Sequence, residues 1–268
     1  MLAIGAGTAT AWANGFFTAL FTAHGIAGAT RGEQLASAPF AVTHVSNTTW
    51  NTGRYVLPSS DSAETVATYF AENPTGGERD EGWLDGLGAV PVGSTTWEIE
   101  LEGRRTDRVE IVDIEPVLDG GRCRDRLTGA LIQQEDAGGD DKIPLWLDLD
   151  EPSPELRILD TETREPGAPF FDYKKITLAN GENVQLVVEA HATTAYCEWI
   201  LRVHFTADGR RAATDVRGPA NRPFALTGEV RYPDYGDVFL SPLYCGNGRW
   251  TTVSGAKAEK VVARAERC

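Results

Sequence analysis

Few residues in this chain have the chemical reach to act on a substrate. The chain holds four histidines, and beyond the N-terminal segment these are His44, His191 and His204. His191 and His204 fall on adjacent predicted strands, on an outward face near Glu189 and Glu198. A histidine beside a carboxylate can act as a general acid/base or donate ligands to a metal ion. Two solvated strand faces produce the same pattern, and that is the reading adopted for these four residues. None of the motifs G-x-S-x-G, H-E-x-x-H, the phosphate-cradling P-loop or G-x-G-x-x-G stands beside them.

Two acidic runs invite a calcium reading, Glu135-Asp136-Ala137-Gly138-Gly139-Asp140-Asp141 and Asp148-Leu149-Asp150-Glu151. Calcium needs roughly six to eight oxygens from a spaced loop. Neither run has the spacing of an EF-hand, so both are read as solvated turns. Glu98, Glu100 and Glu102 alternate with Trp97, Ile99 and Leu101, which puts three like charges on one strand face left in water, a guard against edge pairing. Asn47-Thr48-Thr49 is a formal glycosylation sequon. No catalytic residue, cofactor or metal is assigned, and the chain is not expected to be an enzyme.

The cysteines carry the firmest chemistry. There are four, Cys123, Cys197, Cys245 and Cys268, with no C-x-x-C pair among them. That spacing does not suit a metal site, and an even count in an exported chain favours disulfides, of which four cysteines allow three pairings. Cys268 is the last residue, and closing it onto nearby Cys245 restrains a terminus that would otherwise fray. The expected pairs are therefore Cys123 with Cys197 and Cys245 with Cys268.

The elements that must hold these residues read mostly as strands, over 41–46, 95–101, 108–114, 143–149 and 172–178. Asn180-Gly181 then predicts a type I′ hairpin to a strand over 184–190. In the next strand Cys197, Trp199, Leu201, Val203 and Phe205 alternate with Glu198, Ile200, Arg202 and His204, so Trp199 is expected in the core with Glu198 in water. Asp208-Gly209 supplies a further turn. Helices are expected over 62–72, capped by Asp61 with Glu64 in support, and over 256–267. Stretches 73–88 and 133–141 read as loops.

The first thirty residues contain no Asp, Glu, Lys or Arg. A bilayer core takes roughly 20 helical residues, so residues 1–30 are read as a transmembrane anchor rather than a cleaved signal, since the basic start of a signal peptide is missing. All charge lies in the remainder, with 39 acidic against 25 basic residues and a formal net charge of −14. Phosphate binding needs a positive footprint, so nucleic acid is excluded as a partner. The same excess argues against an anionic membrane surface.

The Gly/Ala/Thr-rich anchor and the stretch from Ile176-Thr177-Leu178-Ala179-Asn180-Gly181-Glu182 to Tyr196-Cys197-Glu198-Trp199 resemble uncharacterised, membrane-anchored extracytoplasmic proteins of actinobacteria. The resemblance implies location and fold and carries no catalytic residues. The expected organisation is a transmembrane anchor over 1–30, an antiparallel β-sandwich-like domain over 31–254 and a helical tail over 255–268. The expected function is a membrane-tethered extracytoplasmic binding or interaction domain, with the bilayer as one partner and a protein or small molecule as the other. The alternatives are the sensor portion of a transmembrane regulator and, behind it, a cell-surface hydrolase.

Overall fold

Alternation of apolar and polar side chains builds the larger half of the molecule. In this computed structural model the described residues are 39–50, 53–76, 82–134, 143–160, 162–264 and 268, so the predicted anchor and the acidic run 135–141 lie outside them. Among the described residues no helix is long and apolar enough to cross a membrane. The described residues are mainly β and form three sheets.

The first sheet has six strands in the order β1 (Phe40–Asn47), β4 (Ser94–Gly103), β11 (Asn183–His191), β7 (Ile143–Asp148), β8 (Arg157–Leu159) and β9 (Pro166–Pro169). The second runs β10 (Ile176–Leu178), β5 (Val109–Leu118), β12 (Tyr196–Ala207) and β13 (Arg210–Val216), with β14 (Phe224–Thr227) also paired to β12. Their inner faces share one core. Trp97, Ile99 and Leu101 from β4 and Leu186, Val188 and Ala190 from β11 meet Cys197, Trp199, Leu201, Val203 and Phe205 from β12. Trp199 is 1% exposed and its ring stacks on Phe224 with centroids 5.7 Å apart.

The expectation of purely antiparallel sheets fails at two places, one in the first sheet and one in the third, where β6 (Ala130–Gln133) and β15 (Asp237–Leu240) pair in parallel. β7 and β11 run parallel, because the chain between them visits β8, β9 and then the second sheet before returning. The predicted Asn180-Gly181 hairpin fails for a related reason. The turn closes, with Glu182 N–H donating to Ala179 O at 3.1 Å, but β10 pairs with β5 in one sheet and β11 with β4 in the other. A type I′ turn needs positive φ at both central residues, and of these two only Gly181 has it, at 75°. Asp208 and Gly209 are both positive, at 51° and 70°, and there a true hairpin forms with Ala207 opposite Arg210. The predicted strand over 172–178 is a helical turn, α3 (Phe170–Tyr173), followed by β10. β4 lies between β1 and β11, so its three glutamates guard no edge.

The third sheet, β16 (Thr251–Ser254), β15 (Asp237–Leu240), β6 (Ala130–Gln133), β2 (Arg54–Leu57) and β3 (Val90–Pro91), has apolar side chains on both faces. Tyr55, Leu57, Ala130, Ile132 and Phe239 face α1 (Ser60–Glu72) through its Val66 and Phe70, and Leu84 of the short α2 (Trp83–Gly86) joins the same cluster. Val56, Leu131, Val238 and Leu240 face α5 (Gly255–Val262) through Ala258 and Val261. The C-terminal helix is therefore one layer of a helix–sheet–helix unit rather than a separate tail. A Cβ on Gly255 would lie 1.9 Å from the Tyr232 carbonyl oxygen, so only glycine lets α5 begin this close to the 232–235 turn. At the other helix Ser59, not Asp61, is the N-cap, and it makes no side-chain capping bond.

Both expected disulfides are present. Cys123–Cys197 closes a separation of 74 residues inside the two-sheet core. Cys245–Cys268 closes 23 residues and ties the end of the chain to α4 (Pro242–Cys245) beside the α5 face of the third sheet.

Candidate functional site

The parallel pairing of β7 and β11 sets Trp146 directly opposite Glu189, and Asp148 opposite His191. All four are half-buried or partly exposed on the outer face of the six-stranded sheet. The Trp146 and His191 rings stack with centroids 3.6 Å apart and planes 18° from parallel. Glu189 stands beside them with its side chain 17% exposed. Its Oε1 contacts His191 Nε2 at 3.1 Å, and its Oε2 accepts from Arg164 at 2.5 Å.

Arg164 reaches this carboxylate because the β8–β9 turn folds back on itself. Asp160 Oδ1 accepts the backbone N–H groups of Glu162 and Thr163, both at 2.9 Å, and Arg164 N–H donates to Asp160 O at 2.8 Å. Arg164 then takes a left-handed φ of 60° and is left 61% exposed. The hydrogen bond from His191 pulls the Glu189 carboxyl below its usual range; burial opposes this, and the Arg164 charge adds to the lowering. The site thus offers an aromatic stack and an ionised carboxylate on the adjacent strands β7 and β11, with a reachable guanidinium from the β8–β9 turn.

One end of this site is pinned by Asp150. Its carboxylate accepts four hydrogen bonds, from the backbone N–H and the hydroxyl of Thr193 at 2.7 and 2.6 Å and of Thr194 at 3.1 and 2.5 Å. Burial pushes this carboxyl up, but the four donors outweigh burial and hold it below its ordinary value. Asp148 Oδ1 caps the same turn by accepting from Asp150 N–H at 2.9 Å. The acidic run 148–151 is therefore a structural staple beside the Cys123–Cys197 bridge, and more than a solvated turn.

His204 is not brought to His191. It lies on the outer face of the second sheet, where its Nε2 is 3.3 Å from Glu115. A shallow cavity of about 400 Å³ opens there, lined by Asp113, Glu115, His204 and Arg211 at the point where a bulge shifts the β5–β12 register. Glu198 belongs to neither histidine. It pairs with Arg124 and accepts from Tyr196 Oη at 2.7 Å. Among the described residues no group of three or more His, Cys, Asp and Glu is arranged to hold a metal. His44 contacts Ser46 Oγ at 2.9 Å on the outer strand β1. Asn47 of the sequon is 3% exposed, with its Oδ1 accepting from Thr49 N–H at 2.9 Å, so the folded chain hides the amide that glycosylation would need.

Trp146 and Arg164 were not legible as site residues in the sequence. Each depends on a partner 25 or more residues away, and only His191 and Glu189, two apart on one strand, carry a local signal. No family model, characterised protein or solved structure matches the chain.

Proposed function

We propose that this protein is a membrane-tethered extracytoplasmic binding module that takes its ligand on the outer face of the six-stranded sheet, at Trp146, His191, Glu189 and Arg164. The observation that carries this reading is Glu189, a carboxylate kept ionised between His191 and Arg164 and set beside a half-buried tryptophan. Strands hold Trp146, Glu189 and His191, so a ligand meets a surface that is largely preformed and little ordering entropy opposes binding. A ligand that presents a flat apolar ring edged with hydroxyl or amide groups suits such a surface, and a glycan has that chemistry. The compartment rests on two other features. Residues 1–30 are uncharged and long enough to span a bilayer, and two disulfides fit an oxidising environment.

The test is titration of the immobilised full chain with soluble envelope glycan fragments. Trp146→Ala is expected to abolish measurable binding and Glu189→Gln to weaken it, whereas Glu115→Gln on the other sheet leaves it unchanged. Binding that survives Trp146→Ala and fails with Glu115→Gln would move the site to the cavity on the second sheet.

A further inference from the structure

Each sheet ends in two outer strands, and most of these are poor templates for another chain. β3 has two residues and includes Pro91, β10 has three residues, and β16 has four. β9 has four with a proline at each end, and a register shift between Val42 and His44 interrupts β1. Short strands, prolines and bulges keep sheet edges from pairing. β13 has none of them. Its seven residues, Arg210–Val216, contain no proline and pair with β12 without a register shift, and Arg210 through Ala213 are exposed. Among the described residues no strand lies on its far side.

The hairpin decides which backbone groups of β13 are free. Across its two-residue connection the closing pair, Ala207 and Arg210, exchanges hydrogen bonds. By alternation Arg210, Ala212, Thr214 and Val216 turn their N–H and C=O groups toward β12, and Arg211, Ala213 and Asp215 turn theirs to the open edge. These three also share the outer side-chain face, where Asp215 lies opposite Arg202 and Ala213 opposite His204. Asp215 accepts from Arg202 at 2.8 and 3.2 Å and keeps 36% of its side chain exposed. Arg211 is exposed and forms no ion pair among the described residues; the cavity with Asp113 and Glu115 lies beside it.

We infer that β13 pairs antiparallel with β13 of a second copy of this chain, about a two-fold axis through Ala213. Charge selects this register. Only registers that set 211, 213 and 215 against one another exchange the free backbone groups, and with Ala213 opposite Ala213 the Arg211 of each copy faces Asp215 of the other. Sliding one strand by two residues puts Arg211 opposite Ala213 in one direction and opposite Arg217 in the other. Arg202 already orients Asp215, so each inter-chain pair meets a carboxylate that is fixed in place. The net charge of −14 opposes association at long range, but exposed charges are screened beyond roughly 10 Å at 0.1 M salt. The contact is isologous and closes at two copies. Its axis is perpendicular to the joined sheet, so both copies lie the same way up and the outer faces of their six-stranded sheets point to one side. A ligand with repeating units then gains avidity from two sites; that consequence rests on the function proposed above, whereas the pairing does not.

Disulfide trapping of the full chain in detergent micelles tests this. Opposed residues of a hydrogen-bonded antiparallel pair have Cα atoms about 5.5 Å apart, within the reach of a disulfide, so Ala213→Cys should give a covalent dimer under mild oxidation. Ala212→Cys should give none, because position 212 faces 214 of the other copy and the two substituted residues lie on a diagonal beyond that reach. Adding Arg211→Glu to Ala213→Cys sets like charges opposite each other and should abolish trapping. Ala213→Pro in the otherwise native chain removes N–H groups that point away from β12, and should convert dimer to monomer in sedimentation with density-matched detergent. Slow hydrogen exchange at Leu201, Val203 and Phe205, whose amides face β13, reports an intact hairpin in each variant; if the proline loosens it, Arg211→Glu alone decides. No trapping by Ala213→Cys, or equal trapping by Ala212→Cys, overturns the pairing. A dimer that survives Arg211→Glu also overturns it, by assigning self-association to another surface. No ligand enters these measurements, so their outcome is independent of the proposed binding function.

Discussion

The two halves of this molecule bury their strands in different ways. In the two-sheet body the central strand β4 has one wet face and one dry face: Trp97, Ile99 and Leu101 are buried while Glu98, Glu100 and Glu102 between them are only partly so. In the helix–sheet–helix unit the central strands are dry on both faces. Tyr55, Val56 and Leu57 are all buried, as are Ala130, Leu131 and Ile132, and Val238, Phe239 and Leu240. A strand of the first kind announces itself by alternation. A strand of the second kind is a short apolar run with no period, which sequence does not separate from a piece of buried helix. That is why the strands at 54–57, 130–133 and 237–240 escape a reading of the sequence while those at 94–103 and 183–191 do not.

If the halves are separate cores, emptying one should loosen it before the other. Trp199→Ala in the first and Phe239→Ala in the second should each cost about 3–5 kcal/mol. Hydrogen exchange in Trp199→Ala should quicken in β5 and β12 more than in β2, β6 and β15, with the reverse in Phe239→Ala. Equal acceleration everywhere would make the two cores one cooperative unit, joined through the Tyr196 side chain, which packs in the second core from a strand of the first.

The disulfides sharpen the same contrast. On the loop-entropy account, a closure of 74 residues is worth about 4 kcal/mol and one of 23 about 3. Replacing both cysteines of each pair with alanine should lower denaturant midpoints in that order. A larger loss from the Cys245–Cys268 pair would mean that the third sheet depends on its tied terminus more than on its two apolar faces.

The outward glutamates of β12 and β4 are unequal. Glu198→Ala leaves Arg124 and Tyr196 without their shared acceptor and should cost about 1–2 kcal/mol. Glu100→Ala on β4 should stay within about 0.5 kcal/mol. Thermal midpoints decide, and equal costs would mean that the Tyr196–Glu198–Arg124 contact contributes nothing to stability.

The smallest expected effect is a pH dependence at the candidate site. The Glu189 carboxyl lies below its usual value in the folded chain, against about 4.3 when unfolded. The unfolded state therefore binds the extra proton first. The stabilisation from Glu189 is present above the unfolded value and is lost as pH falls through the folded one. Glu189→Gln should flatten this part of the acid limb in denaturation curves taken from pH 5 downward, a window set by that unfolded value of about 4.3. An unchanged limb would remove the His191 and Arg164 contacts as a source of stability.

The sequence by itself determined whatever depends on neighbours along the chain. The inward face of β12 with Trp199, the strands that alternate, the helix near 60–72 and the turn at Asp208-Gly209 all follow from side-chain period and turn chemistry over a few residues. The cysteine count narrowed the disulfides to three pairings, and the argument from the final residue selected the pairing found. Only the tertiary structure decided which strands pair. It sent the two arms of the Asn180-Gly181 turn to different sheets and set β7 parallel to β11. It thereby brought Trp146 and Arg164 to Glu189 and left His204 on the far face. Pairing across a sheet is fixed by contacts between residues tens of positions apart, and no local period or motif records them.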